Sequence, residues 1–217
     1  MVFADRHEAG RALAERVAHY AGRTDVVVLA LPRGGVPVAY EVARRLGAPL
    51  DVFVVRKLGT PGQEELALGA IASGGIRVLN DELVRMLGVS PAMLDTIAHH
   101  AQVELERQER QFRGDRPPLD VRGRVVILVD DGLATGASMR AATAALRGLH
   151  PSRIVVAVPV AAGETCEMFR HEVDEVVCAE MPEPFYAVGA WYENFSQTTD
   201  EEVRDLLDRA SREAPAA

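Results

Sequence analysis

Residues 125–138 read VVILVDDGLATGAS. An apolar run without alternation ends in two adjacent carboxylates, Asp130 and Asp131. Small residues follow at once: Gly132, Leu133, Ala134, Thr135, Gly136, Ala137 and Ser138. A short unbroken run of Val, Ile and Leu reads as a strand buried on both faces of a parallel sheet. Such sheets bind ligands beyond the carboxyl ends of their strands, where the two acids would stand. The glycines let backbone approach a ligand closely. Thr135 and Ser138 add hydroxyl donors, and a helical pattern opens at 137, whose free N–H groups favour an anion. The pattern is therefore a phosphate cradle beside two hydroxyl-accepting carboxylates, a combination that suits a ribose 5-phosphate.

Four further runs of the same kind predict the rest of the sheet: VVVLAL (26–31), LDVFVV (50–55), IVVAVPV (154–160) and EVVCAE (175–180). Helical patterns separate them at 36–46, 137–149 and 163–171, and others lie at 6–21 and after Thr199, where Thr199 and Glu202 have capping-box spacing. Alternation of strand and helix predicts an α/β fold, a doubly wound parallel sheet of about five strands flanked by helices. The polar-apolar helical stretch at about 80–114, closed by Gly114, Pro117 and Pro118, reads as an insertion between the halves of the sheet. The whole of 1–217 is expected to form one domain.

Composition narrows the function classes. The net charge is −8 and the isoelectric point near 5.3, so no general basic field is available for nucleic acid. No apolar run reaches the ~18 residues of a membrane helix, and the start, MVFADRHEAGRALAERV, has no signal-peptide core. Cys166 and Cys178 lack any CxxC spacing, so neither a disulfide framework nor a zinc site is expected. A cytoplasmic protein that contacts neither membrane nor nucleic acid is the resulting expectation. GxxxxGK[ST] and GxGxxG are both absent.

Two upstream loops share the chemistry. In LALPRGGVPVAYEVARRL (29–46), Arg33, Gly34 and Gly35 follow the first strand and open a helix, so Arg33 can pair with phosphate oxygens. In VVRKLGTPGQEELALGAIASGG (54–75), Arg56 and Lys57 precede Gly59, Pro61 and Gly62, and Lys57 is the only lysine among 24 basic residues. An ammonium on a mobile loop can close over a leaving group, although a solvated basic pair at a strand end reads the same way. Segment 181–197 holds five of the eleven aromatic residues: Phe185, Tyr186, Trp191, Tyr192 and Phe195. They could stack a planar base, pack onto the core, or form a dimer contact. His99 and His100 read as part of a solvated helix face.

The 125–138 stretch resembles the phosphoribosyl pyrophosphate (PRPP) motif of type I phosphoribosyltransferases, closest to the adenine type. The resemblance implies that fold, with a flexible loop at about 56–75 and a C-terminal hood at about 181–217. It implies transfer of ribose 5-phosphate from PRPP to a nucleobase-like acceptor with release of pyrophosphate. Arg33, Gly34, Gly35, Arg56, Lys57 and residues 130–138 would hold PRPP. Arg33, Lys57, Asp130 and Asp131 would be catalytic, and Asp130 and Asp131 would face Mg²⁺. Glu64 or Glu65 is a candidate for the acceptor proton. Enzymes for 6-oxopurines usually carry Asp where this chain has Ala134. Members of the family often hold a cis peptide at the position of Pro32–Arg33, and many form homodimers. The alternative on the same fold is a PRPP- or nucleotide-sensing regulator without transferase activity. A phosphatase or nucleotide hydrolase would lack its own motif here.

Overall fold

The computed structural model describes residues 2–60 and 63–213, with the side chains of 63–66 outside that description. Its centre is a five-stranded parallel sheet: β1 (Val26–Ala30), β2 (Leu50–Val52), β6 (Val125–Val129), β7 (Arg153–Val160) and β8 (Glu175–Glu180). The strand order is β2-β1-β6-β7-β8. All five predicted runs are strands, and β1 and β6 are buried at every position, as their lack of alternation requires.

Helices cover both faces. Val26, Val28 and Ala30 point into a cluster with α1 (Arg6–Arg16), α2 (Gly35–Leu46), α4 (Pro91–Arg113) and α7 (Asp200–Glu213). Val27 and Leu29 point the other way, toward α5 (Ala137–Arg147) and α6 (Gly163–Phe169). The chain leaves β1 for β2 in one direction and β6 for β7 and β8 in the other. The strand order therefore reverses between β1 and β6, the place where such sheets bind ligands at their carboxyl ends. Glu202 N donates to Thr199 Oγ1 at 3.1 Å, the cap that the sequence predicts for α7.

The segment at 56–75 is not a bare loop. It contributes β3 (Val55–Thr60) and β4 (Gln63–Ala72), which with β5 (Ile76–Leu79) make a separate antiparallel sheet. Leu58 and Leu68 are fully buried in the same cluster as Leu94, Ala98 and Leu105 of α4, and this packing turns a Gly-rich segment into strands. Pro61 and Gly62, and the side chains of Glu64 and Glu65, lie outside the described residues. The 80–114 insertion is a short α3 (Asp81–Met86) followed by α4. The latter is opened by Ser90, whose Oγ accepts from Met93 N, and closed at Gly114.

The cysteine expectation is overturned: Cys166 of α6 is joined to Cys178 of β8 by a disulfide. A helix packed over the neighbouring strand brings together thiols that sequence spacing leaves apart. Among the described residues no helix is long and apolar enough to cross a membrane.

Candidate active site at the sheet switch point

The register pairs Ala30 with Val129, so the loops that leave β1 and β6 start side by side, tied by Leu31 N donating to Val129 O at 2.9 Å. The two loops touch because one carries glycines. A Cβ on Gly35 would lie 2.8 Å from Val129 O and 2.9 Å from Asp130 Cα, and one on Gly34 would run into Asp131 Oδ2. The Pro32–Arg33 peptide in this turn is cis. Gly34 and Gly35 thus stand directly against Asp131 and Asp130, with Arg33 next in the chain.

The 132–138 loop is held from behind and open in front. Leu133 N donates to Val160 O, and its carbonyl accepts from Ala162 N, both at 2.9 Å. Thr165 Oγ1 donates to Ala134 O at 2.6 Å. Gly136 adopts φ +74°, where a Cβ would meet Phe169 at 2.6 Å, so glycine is required there twice over. Thr135, Ala137 and Ser138 face solvent. Immediately after, α5 starts with its first amides unbonded within the helix. Backbone donors and two hydroxyls therefore surround a space fit for an anion.

The carboxylates are an uneven pair. Asp130 Oδ1 accepts from Asp131 N at 2.8 Å. Asp131 Oδ2 accepts from Arg6 Nε at 2.8 Å. Burial, and then the neighbouring charge of Asp131, push the Asp130 carboxyl well above its usual range. Burial also raises Asp131, against the opposing pull of Arg6. Among the described residues, no hydrogen bond from another residue reaches Asp130 Oδ2 or Asp131 Oδ1, which leaves one oxygen of each toward a ligand. Two carboxylates alone do not cage a metal, and no cluster of three or more such ligands occurs among the described residues. Hard oxygens in this number do fit Mg²⁺, which usually takes one or two carboxylates and completes its shell with substrate and water oxygens.

Three contributors escaped sequence reasoning. Arg6 reads as the polar start of an amphipathic helix. Asp200 reads as a first-turn acid of α7, yet its Oδ1 accepts from Arg33 Nη1 at 3.3 Å. Gln111 of α4 donates to the other Asp200 oxygen at 2.6 Å. No local motif marks any of them.

Arg56 and Lys57 sit apart. They line a groove of about 480 Å³ between β3 and α4, with Ile97, His100, Ala101 and Glu104. No described hydrogen bond or ion pair joins either to the carboxylates. The aromatic segment divides as well. The Tyr192 hydroxyl donates to Asp131 O at 2.5 Å, and burial pushes its own ionisation up. Phe195 lies under the Arg6 guanidinium, 4.0 Å from its carbon. Trp191 Nε1 is buried without a hydrogen-bond partner among the described residues, Phe185 packs on the core, and Tyr186 is 81% exposed. Val188 presses on Gly132, closing this segment over the loop.

A family model described as "Phosphoribosyl transferase domain" matches residues 5–191. A Mycobacterium tuberculosis protein named "Putative phosphoribosyl transferase" is 49% identical over 212 residues, which are 98% of this chain and 48% of that protein. The chain thus spans about half the length of the curated relatives it matches. The crystal structure of TT1426 from Thermus thermophilus is 47% identical, covers 95% of this chain and 98% of its own, and superposes with a TM-score of 0.84.

Proposed function

The chain belongs to the phosphoribosyl transferase domain family, and from that premise we propose that it moves the ribose 5-phosphate of PRPP onto a nucleobase-like acceptor, releasing pyrophosphate. The observation that carries this reading is the contact of two loops at the sheet switch point. One brings Asp130, Asp131 and the 132–138 cradle, and the other brings Arg33, Gly34 and Gly35. One domain supplies the sheet, the hairpin, the helical insertion and the hood.

In this reading the 5-phosphate occupies the 134–138 turn, on the amides of α5 and the Thr135 and Ser138 hydroxyls. Asp130 Oδ2 and Asp131 Oδ1 accept from the ribose hydroxyls and take part in holding Mg²⁺. That ion, when bound, neutralises charge that builds on the pyrophosphate. The C1–oxygen bond breaks with its electron pair leaving on pyrophosphate. The acceptor nitrogen forms the new bond to C1 and gives up its proton to water. Positive charge on the ribose in the transition state is favoured by the carboxylates. Negative charge on the leaving group is favoured by Arg33 and, after the hairpin moves, by Lys57. The 181–197 hood covers the acceptor.

The test is a PRPP-dependent screen of purine and pyrimidine bases scored by pyrophosphate release, with calorimetry of PRPP in Mg²⁺ alongside. At least one base is expected to give release. Binding without release on any base converts the reading to the PRPP-sensing regulator, and absence of binding ends both.

The Asp200 contact adds a second expectation. The pair is about one-third exposed on each side, so it is worth at most about 1 kcal/mol. Pyrophosphate has to compete with it for Arg33. Asp200→Asn is therefore expected to tighten PRPP binding about two- to fivefold by calorimetry. Weaker binding would instead make Asp200 part of the ligand's own shell.

A further inference from the structure

We infer that Arg6 is a positioning residue that joins the ribose-binding carboxylate to the hood, so that occupancy of one is felt by the other. The inference rests on the reading that PRPP binds at Asp130 and Asp131.

Arg6 starts from a fixed point. It is the first residue of α1, whose N-cap Asp5 accepts from Glu8 N at 2.8 Å. The helix is seated on α2 so closely that a Cβ on Gly10 would lie 2.7 Å from Val38 O. From that base the side chain reaches Asp131, 125 positions away, and Ser196, 190 positions away. Nε donates to Asp131 Oδ2 at 2.8 Å, and Nη1 donates to Ser196 O at 2.7 Å. The guanidinium face stacks on Phe195. The side chain is only 11% exposed. A planar fork with separate edges and a flat face is the one cationic group able to make all three contacts at once.

The hood is tied to the same segment by its backbone. Phe3 N donates to Trp191 O at 2.9 Å, Glu193 N to Phe3 O at 2.8 Å, and Asn194 N to Ala4 O at 3.0 Å. Phe3 and Tyr192 share a buried cluster against which Trp191 packs. Two of the hood's fastenings reach Asp131 itself, Tyr192 on its carbonyl and, through Arg6, Ser196 and Phe195 on its carboxylate. When Asp131 takes up a ribose hydroxyl and a cation, Oδ2 must share or release Arg6. Any shift of the guanidinium is passed to Ser196 and Phe195, and through the short 191–196 segment to Trp191.

Trp191 is the only tryptophan, so its emission reports the hood alone. The probe is PRPP with Mg²⁺, which needs no acceptor. In the native chain, emission is expected to change on titration, with the same midpoint as the heat of binding. Arg6→Gln is expected to bind PRPP within about tenfold of native, yet to lose at least three-quarters of the emission change. Arg6→Lys is expected to behave like Arg6→Gln, because an ammonium cannot make the forked and stacked contacts. A role through charge alone predicts that Lys restores the signal, and that result overturns the inference. So does a full emission change in Arg6→Gln, or PRPP binding in the native chain with no emission change. Should the Arg6 variants fail to fold, Phe195→Leu leaves Asp131 and its ion pair untouched. It is expected to halve the emission change or more, and an undiminished change overturns the inference. No heat of binding in the native chain is a different result, since it removes the PRPP reading itself.

Discussion

The double variant Asp130→Asn, Asp131→Asn should lose Mg²⁺-dependent PRPP binding by at least about 100-fold while remaining folded. Each charge-assisted hydrogen bond to a carboxylate is worth about 1.5–3 kcal/mol, so two of them span roughly two to four decades. A bound Mg²⁺ would lose both of these carboxylates as well. Calorimetry with and without Mg²⁺ measures the loss, and undiminished affinity in a folded double variant would remove the site. Stability should move differently. A folded-state carboxyl held above its unfolded value costs stability where it is ionised, and the cost fades as pH falls through that raised range. Asp130 is in that position because burial and the Asp131 charge both oppose its ionisation. Asp130→Asn alone should therefore be as stable as the native chain at neutral pH, or more so by about 0.5–2 kcal/mol. A binding residue whose removal stabilises the fold is held there by its ligand chemistry rather than by packing.

The division between what was readable and what was not follows the range of each interaction. β1 and β6 were legible because a central parallel strand sees apolar neighbours on both faces, and that requirement is written at every position. The two candidate loops were legible because Gly34, Gly35 and Gly136 answer to contacts that only a missing Cβ permits. Lys57 was legible as a residue type but not as a place. Its groove is formed with α4, which lies more than thirty positions on, and Leu58 and Leu68 draw the segment into strands. Arg6, Asp200 and Gln111 meet the site only through tertiary packing, so no spacing rule finds them. The cysteines failed for the same reason, since a helix and the strand beneath it set their distance.

Lys57→Ala should leave PRPP affinity within about threefold of native and lower kcat by roughly 30- to 1000-fold, the equivalent of about 2–4 kcal/mol. The structure gives the reason for the split. Lys57 is exposed on β3 and faces a groove shared with Ile97, His100 and Glu104, with no described contact to the carboxylates. It can add little to ground-state binding from there. In the proposed reaction Lys57 would reach the leaving group after a swing of the β3–β4 hairpin, a motion that would exclude water from a reactive sugar. A contact made only after closure stabilises the transition state without tightening the first complex. Arg33 differs, because it precedes Gly34 in the loop that touches Asp131, and its loss should weaken PRPP binding directly. Lys57→Arg separates position from charge. If a compact ammonium is needed against the pyrophosphate, the bulkier fork should recover less than a tenth of the lost turnover. Equal losses in PRPP affinity and in kcat/KM for Lys57→Ala would place Lys57 in the open complex and remove the closing motion from the mechanism.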